Sequence, residues 1–384
     1  MKAKSIKGNS TEEIKTALEQ SIADGYKPSL AVVFISIKQD IDAVSNLLDQ
    51  KNIQIFGATS SGEFIDGDIT NGGIAVLLMD INPANFEIIL YDYRDKEPEA
   101  VAKEMAEKAK GRFKNPTIIL STSFYARGEL ESLLGDQLIR TIESVAGKGT
   151  TVWGGRAGDD FIFDESVVFT NHLLTKRGII MLVFDGDKII ATGEAASGQK
   201  PVGTEKIITK AIGNWVYEID NKPAAEMVLK YLGLNLSPEE AETFNPSGMG
   251  IAFSVSRDKG EAIIRGVGMF NWKDKSVSVL GSIHEGDKVR FTLPPDFEVI
   301  EEVKFNAEKI QHDEMPEADA LLIFSCIGRL TQFGPLAGDE VEGVRKAFNV
   351  PMAGFFTYGE YGRTRNGNNE FHNNTCCWVA LKEI

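Results

Sequence analysis

The segment GFFTYGEYGRTRNGNNEFHNNT, residues 354–375, begins with a pattern that is found twice more in the chain. Its first seven residues, GFFTYGE, contain two glycines separated by four residues and followed directly by an acid. GATSSGE, residues 57–63, has the same spacing, and GGRAGDD, residues 154–160, has a version that is one residue shorter. Internal similarity of this kind indicates related structural units. We therefore predict that the chain contains three copies of one unit.

Each copy has the same predicted order of strand, helix, strand, glycine-acid turn and strand. The leading strands are short apolar runs rich in β-branched residues, which are typical of strands buried on both faces. The predicted leading strands are at residues 29–36, 117–123 and 320–329, the helices at 40–48, 131–145 and 340–348, and the final strands at 73–80, 177–185 and 376–383.

The region between the second and third copies has a different pattern. Strands are predicted at residues 188–196 and 203–212, followed by a helix that begins at Pro223 and ends at Gly233. Four strands separated by turn residues, at 250–255, 261–270, 277–283 and 288–292, then predict an antiparallel meander. The predicted fold is mixed α/β (α+β), with the repeated units in two closely packed domains, residues 1–212 and 213–384.

Composition and charge narrow the classes of partner. The 384 residues have a net charge of -15, which repels nucleic acids and anionic membrane surfaces. The apolar run at 178–184 is far shorter than a membrane span, which needs roughly 18 residues. The amino terminus lacks the apolar segment of a signal peptide, and the three cysteines contain no CxxC pair. These features predict a cytoplasmic protein with reduced thiols and with small molecules or proteins as partners.

The third copy carries more chemistry than a turn requires. Arg329 offers a guanidinium for a carboxylate and Glu360 a carboxylate for an ammonium group, which suits a zwitterion such as an amino acid. In this hypothesis Tyr358 and Asn373 complete the pocket. The predicted ligand site comprises Cys326, Arg329, Tyr358, Glu360, Arg363, His372, Asn373 and Thr375, together with Arg156, Asp159 and Glu63 from the other two copies.

Several alternatives remain open at this stage. Any one glycine-acid turn is most simply a structural turn, and a chain of such turns could serve only as an interaction scaffold. Cys326, His372 and Glu360 are the residue types of a thiol enzyme, although no GxSxG, GxxxxGK[ST], HExxH or GxGxxG motif is present. The chain has four histidines, so no metal centre or cofactor is predicted, with a haem bound through His372 as the alternative.

The segments SCIGR, PMAGFFTYGEYGR and FHNNT, in that order, resemble the FIST carboxy-terminal domain. GATSSGE, GGIAVLL and GGRAGDD are similar to its amino-terminal partner domain. The resemblance implies an intracellular sensory module that binds small ligands, amino acids being the usual proposal, and passes the signal to a protein such as a kinase. Some members are linked to haem. No fused output domain is expected here. The family motif falls on Gly62, Glu63, Gly155, Gly158, Asp159, Cys326, Gly328, Arg329, Gly354, Gly359, Glu360, His372, Asn373 and Thr375.

Overall fold

A computed structural model describes residues 1–125, 131–236, 240, 243–244 and 250–384. Its first unit alternates strands and helices and ends in a short hairpin and a final strand. Ser10 and Asp40 begin the two helices, since their side chains accept the backbone N–H groups of Glu13 and Ala43. The elements are β1 (Lys2–Gly8), α1 (Thr11–Ile22), β2 (Leu30–Ser36), α2 (Ile41–Asp49), β3 (Gln54–Ser60), β4 (Glu63–Ile65), β5 (Asp68–Thr70) and β6 (Ile74–Asp80).

The second unit has the same order of elements. After the 3-10 turn Pro83–Asn85 its elements are β7 (Phe86–Asp92), α3 (Pro98–Arg112), β8 (Pro116–Thr122), α4 (Glu131–Ala146), β9 (Thr151–Gly155), β10 (Val168–Phe169), β11 (Leu174–Thr175) and β12 (Gly178–Asp185).

The third unit is interrupted after its first strand, β13 (Ile189–Ala196), by an inserted region. The inserted elements are β14 (Lys200–Ile212), β15 (Trp215–Ile219), β16 (Lys222–Pro223), α5 (Ala224–Leu232), β17 (Ala252–Val255), β18 (Ile263–Asn271), β19 (Ser276–Val279) and β20 (Lys288–Leu293). The unit then continues with α6 (Glu298–Asp313), β21 (Ala320–Cys326), α7 (Ile327–Phe333), the 3-10 turn Gly334–Leu336, α8 (Ala337–Phe348), β22 (Met352–Thr357), β23 (Glu360–Arg363), β24 (Asn369–His372) and β25 (Cys376–Glu383).

The three units exchange their hairpins. Each six-stranded sheet contains four strands of one unit and the two-stranded hairpin of another. The first unit's hairpin joins the third unit's sheet, the third unit's hairpin joins the second, and the second unit's hairpin joins the first. The strand orders are β1-β6-β2-β3-β10-β11, β24-β23-β9-β8-β12-β7 and β13-β25-β21-β22-β4-β5.

The first glycine of each repeated turn lies opposite an aromatic residue of the incoming hairpin. Phe169 pairs with Gly57, Phe64 with Gly354, and Tyr361 with Gly154. A β carbon would stand 2.4 Å from the Phe169 ring at Gly57 and 2.8 Å from the Phe64 ring at Gly354. The exchanged hairpin therefore requires glycine at residue 57. At Gly354 the Ile323 carbonyl of the neighbouring strand β21 adds to this requirement, since it would stand 2.3 Å from the β carbon.

The inner faces of the three sheets share one central hydrophobic core. Phe34 of the first sheet packs against Phe355 and Phe324 of the third, with ring centres 4.4 and 6.0 Å apart. The outer faces pack against helices: α1 and α2 on the first sheet, α3 and α4 on the second, and α6 and α8 on the third. Helices thus cover the outer faces of the sheets, and in open α/β sheets ligands bind at the strand ends.

The predicted mixed fold and the antiparallel meander are confirmed. The inserted strands form a seven-stranded antiparallel sheet in the order β14-β20-β17-β18-β19-β15-β16, and β14 also pairs with β15. Its interior is a separate hydrophobic core that includes Val216, Phe253 and Val289. The division into domains at residue 212 stays a prediction. No helix in the described part of the chain has the length and apolar character needed to span a membrane.

Two predicted elements need correction. The strand at 188–196 was assigned to the inserted region, but β13 pairs with β25 over eight residues and is the edge strand of the third unit. The leading strand predicted at 320–329 ends at Cys326, because the next residues form α7. Strands β1 and β7 and helices α3 and α6 were not predicted, and they complete the repeated unit.

Candidate functional site

The three glycine-acid turns are joined to one another by backbone hydrogen bonds. Ser61 N–H donates to the Phe356 carbonyl at 3.2 Å, which joins the first turn to the third. Gly158 N–H donates to Thr59 at 2.9 Å, which joins the second turn to the first. Residues that are distant in sequence therefore meet in one buried cluster.

Glu63 is a buried carboxylate that is bonded entirely within its own unit. It accepts hydrogen bonds from the Ser60 hydroxyl, from the Thr70 hydroxyl at 2.9 Å and from the Gly73 N–H at 3.0 Å. Burial raises its pKa to about 7. The carboxylate thus connects the turn to the residue that precedes the unit's final strand.

Glu360 has the equivalent position in the third unit. It accepts from the Thr357 hydroxyl at 2.5 Å and from the hydroxyl and N–H of Thr375 at 2.7 and 3.3 Å. Burial raises its pKa to about 7 as well. The same pattern in two units explains the repeated spacing of glycine and acid by structure alone. Neither set of contacts includes Arg329.

The second unit departs from this pattern. Val168 occupies the hairpin position of the two glutamates, and the Ser123 hydroxyl instead accepts the N–H of Gly178 at 2.8 Å. Asp159, which the sequence aligns with the other acids, accepts three backbone N–H groups that follow it, those of Phe163, Asp164 and Glu165, at 2.8 to 3.1 Å. It also accepts from the Tyr358 hydroxyl at 2.5 Å. Asp159 therefore organises a loop and also links it to the third unit.

That loop comprises residues 160–165. Three of its residues, Asp160, Phe161 and Phe163, have φ angles of 55°, 66° and 55°. This left-handed conformation costs about 1 kcal/mol for each L-residue. The loop exposes 44% of Phe161, 60% of Ile162 and 48% of Phe163. The Phe163 ring nevertheless stacks on Tyr358 at 4.6 Å. The loop thus combines left-handed residues with three exposed apolar side chains, and it lies beside the turns.

Arg329 is fully buried and its donors are already used within the protein. Its Nε donates to Glu340 Oε2 at 3.2 Å, and its Nη2 donates to the other oxygen of the same carboxylate. Nη1 donates to the carbonyls of Ser197 and Asn374. The structure therefore places the predicted carboxylate-binding arginine in an internal ion pair, and does not bring it to Glu360.

Four other predicted residues are also engaged within the fold. Burial raises the pKa of the Cys326 thiol above its usual range, whereas a thiol nucleophile needs a lowered one. Burial lowers the pKa of His372 to about 4, and its Nε2 contacts the Gly362 carbonyl at 3.3 Å. Arg363 donates to the side chain of Asn369 and to Thr150, and Thr375 donates to Glu360. This geometry does not favour a thiol enzyme.

The His372 environment does not fit a haem. An axial ligand must present a ring nitrogen to an open face large enough for the macrocycle. His372 is 1% exposed. It lies in β24 and pairs with Glu360 of the neighbouring strand β23. In the described part of the chain, no cluster of three or more His, Cys, Asp or Glu side chains is arranged to hold a metal ion.

Arg156 differs from every other arginine at the turns. It is 4% exposed, and its guanidinium carbon lies 5.1 Å from the centre of the Phe371 ring. Its Nε and Nη2 are buried and have no hydrogen-bond partner among the residues that the structure describes. Buried charged donors are normally paired. Arg156 is therefore the predicted residue whose surroundings most directly call for a ligand.

The edge formed by Nε and Nη2 is the one that binds a carboxylate side-on in this protein. Arg329 uses it for Glu340, and Arg345 uses it for Glu342 at 2.6 and 2.8 Å. Two parallel donors match the two oxygens of a carboxylate. The shape of the unpartnered edge of Arg156 thus favours a planar oxyanion.

Asn373 and Phe371 flank Arg156 across one strand. Glu360 pairs with His372 of β24 on one side and with Gly155 of β9 on the other. The next position in this register places Gly359 between Asn373 and Arg156. Asn373 donates to the His372 carbonyl, while its Oδ1 is buried with no partner in the described structure. The sequence analysis did not include Phe371 in the site. It lies two residues before Asn373, a spacing that places two side chains on the same face of a strand. Surface clefts in the described part of the chain lie elsewhere, along α1 and beside Met1.

Residues 29–222 match the FIST N domain and residues 224–363 match the FIST C domain. The chain belongs to the FIST family. FIST domains are sensory domains for small ligands. An uncharacterised protein of Methanocaldococcus jannaschii, MJ1623, is 27% identical to this FIST protein over 201 residues. The match covers 51% of this chain and 38% of the relative, so the chain spans well under half of that protein's length.

Proposed function

We propose that this FIST protein is a cytoplasmic sensor that binds the carboxylate of a small polar metabolite through Arg156. The observation that carries the proposal is the buried edge of Arg156, whose Nε and Nη2 lack partners in the described structure. Leaving such donors unpaired costs the full desolvation of the groups, which a bound carboxylate would offset.

The surroundings of Arg156 favour an amino acid. The unpartnered Oδ1 of Asn373 can accept a hydrogen bond from an ammonium or hydroxyl group of the ligand. The Phe371 ring supplies an apolar surface beneath the guanidinium. This assignment keeps the zwitterionic ligand predicted from the sequence but moves its carboxylate from Arg329 to Arg156.

A sensor also needs a change of state that another protein detects. A ligand can shift a conformational equilibrium only when it binds one state more tightly. A ligand carboxylate that pairs with Arg156 favours the conformation in which Arg156 is buried together with the ligand. We propose that this state is recognised by a separate signalling protein, such as a kinase.

A thermal-shift screen of the full chain against amino acids, related small carboxylates and haem tests the proposal. A ligand at 100 times its Kd stabilises the folded state by about 2.7 kcal/mol, which is readily measured. The shift should be lost in Arg156→Ala, where a charged hydrogen-bonding group worth about 1.5–3 kcal/mol is removed.

Arg345→Ala is the matched control. Arg345 uses the same guanidinium edge, but its carboxylate is Glu342 of the same helix. The ligand-induced shift should persist in this variant. Equal shifts in Arg156→Ala and the wild type would remove Arg156 from the site, and a shift produced by haem alone would replace the proposal with the haem alternative.

A further inference from the structure

We propose that Arg265, in strand β18 of the inserted sheet, is a positioning residue of the Arg156 site and acts through Phe371. The inference rests on the proposed function, since it describes how the ligand-binding arginine is held in place. The contacts that carry it are independent of which ligand binds Arg156.

The Phe371 ring, which contacts the Arg156 guanidinium, packs closely against two glycines. Its centre lies 5.1 Å from the guanidinium carbon of Arg156. A β carbon would stand 2.4 Å from this ring at Gly135 of α4 and 2.3 Å from it at Gly359 of the third turn. The ring therefore fills a space that exists only because both positions are glycine. The surface against which Arg156 packs is thus set by the backbones of α4 and of the turn.

Arg265 binds both the backbone of Phe371 and the helix against which the Phe371 ring packs. Its Nη1 donates to the Phe371 carbonyl at 2.8 Å, and its Nη2 donates to Asp136 Oδ1 at 2.7 Å. Asp136 directly follows Gly135 in α4. Hydrogen bonds made by charged groups are among the strongest in proteins. Arg265 therefore holds strand β24 and helix α4 together around the Phe371 ring.

The ion pair of Arg265 and Asp136 is part of a buried network that joins the inserted region to the other units. The Arg265 side chain is 0% exposed and that of Asp136 is 5% exposed. Arg265 Nε donates to the Ser282 carbonyl at 3.1 Å, and the Ser282 N–H donates to Asp136 Oδ2 at 2.7 Å. The charge of Arg265 is thereby compensated, whereas Nε and Nη2 of Arg156 have no partner in the described residues. Arg265 can therefore position the site without competing for the ligand's carboxylate.

A second ion pair between the inserted region and β24 offers a matched comparison. Arg257 Nε donates to Glu370 Oε1 at 2.8 Å, and Glu370 directly precedes Phe371 in β24. Both side chains are partly exposed. Successive side chains of a strand point to opposite faces, so Glu370 lies on the face of β24 opposite the Phe371 ring. This pair thus links the same two parts of the chain from the other side of the strand.

Labelling of arginines with phenylglyoxal, followed by mass spectrometry, tests the positioning role in the full chain without any ligand. The double variant Arg265→Met with Asp136→Leu removes both buried charges, which often leaves stability unchanged, and it also removes the donor to the Phe371 carbonyl. Arg156 should then be labelled at least about tenfold faster, which corresponds to about 1.4 kcal/mol. Arg265→Lys keeps the charge but lacks the planar fork that reaches both acceptors. It should change the labelling in the same direction, and it serves as the test if the double variant does not fold.

Arg257→Met with Glu370→Leu is the matched control and should leave the labelling of Arg156 unchanged. Arg329 is the internal control, because it is fully buried by a separate ion pair with Glu340. Equal labelling of Arg156 in the Arg265 variants and the wild type overturns the positioning role. Equal acceleration in the matched control also overturns it, and so does equal acceleration of Arg156 and Arg329, because that result shows general loosening of the fold.

L-glutamate added to the same assay separates the positioning role from the proposed function. Protection of Arg156 by glutamate in the wild type, together with faster labelling in the Arg265 variants, supports both. Faster labelling in these variants without protection by glutamate supports the positioning role and counts against an α-amino acid as the ligand. Protection without any effect of the Arg265 variants supports the site and overturns the positioning role.

Discussion

Phe169 of the second unit packs so closely against Gly57 of the first that a β carbon on Gly57 would lie 2.4 Å from its ring. The contact joins residues that belong to different units and are far apart in sequence. Equivalent pairings of Phe64 with Gly354 and of Tyr361 with Gly154 join the remaining units. The exchanged hairpins therefore couple the three units, so that the loss of one contact should be felt in two sheets.

Gly57→Ala should destabilise the protein by about 1–3 kcal/mol, the usual cost of adding a methyl group to a tightly packed site. Gly111→Ala is the control, because no other atom lies within 4 Å of a β carbon at that helical position. It should leave stability unchanged or raise it slightly. Urea unfolding gives both values. Equal midpoints for Gly57→Ala and the wild type would show that the Phe169 contact is not tight in solution.

The repeated turns were visible in the sequence, but their exchange was not. Spacing within one copy predicts a turn and an acid, as at Glu63 and Glu360. It carries no information about which sheet receives the following hairpin, because that depends on contacts such as Phe169 with Gly57. The edge strand β13 was misassigned for the same reason, since the inserted sheet separates it from its partner β25.

The sequence predicted only part of the candidate site, because contacts between distant residues decide which side chains remain unpaired. Arg156 lies in the second glycine-acid turn and Arg329 in helix α7, just after a leading strand, and both follow the end of a strand. What distinguishes them is that Glu340, on the following helix, pairs with Arg329, whereas Arg156 has no partner in the described structure. Likewise, Asp159 finds Tyr358 199 residues away. The spacing of residues within one segment of the sequence carries no information about such contacts between distant residues.

Stability should fall as the pH rises from about 4.5 to 7. Burial raises the pKa of Glu63 and of Glu360 to about 7, above the unfolded value of 4.5. The folded protein therefore holds these protons more tightly, and the resulting stability is present below pH 4.5 and lost by pH 7. A shift of this size corresponds to at most on the order of 3 kcal/mol for each carboxyl group.

Glu360→Gln isolates one contribution, because glutamine does not titrate. The variant should show a shallower decline between pH 4.5 and 7 than the wild type when urea unfolding is measured in steps across this range. His372, whose pKa burial lowers to about 4, acts in the opposite sense between pH 6.5 and 4 and is common to both proteins. Parallel pH profiles would mean that Glu360 is not buried as a titrating group.

Arg329 should be required for folding and not for binding specificity. Arg329→Ala leaves Glu340 buried without its partner, which typically costs about 3–5 kcal/mol. Arg345→Ala breaks a partly exposed pair with Glu342, within one helix, and should cost no more than about 1 kcal/mol. Chemical unfolding compares the two variants. If Arg329→Ala does not fold, the double variant Arg329→Met with Glu340→Met should recover stability, since it removes both charges. Equal costs for the two alanine variants would contradict the internal role of Arg329.

Cys326 should react with iodoacetamide at least about tenfold more slowly than free cysteine at neutral pH. The reactive form is the thiolate, and burial raises the pKa of this thiol above its usual range, with the Glu360 carboxylate adding to the effect. Cys376 and Cys377 are buried as well, so all three should become reactive only in urea, which serves as the control. Mass spectrometry of the modified peptides assigns each rate. If Cys326 alone reacted faster than free cysteine in the folded protein, its environment would have to be electropositive, and the thiol-enzyme alternative would regain support.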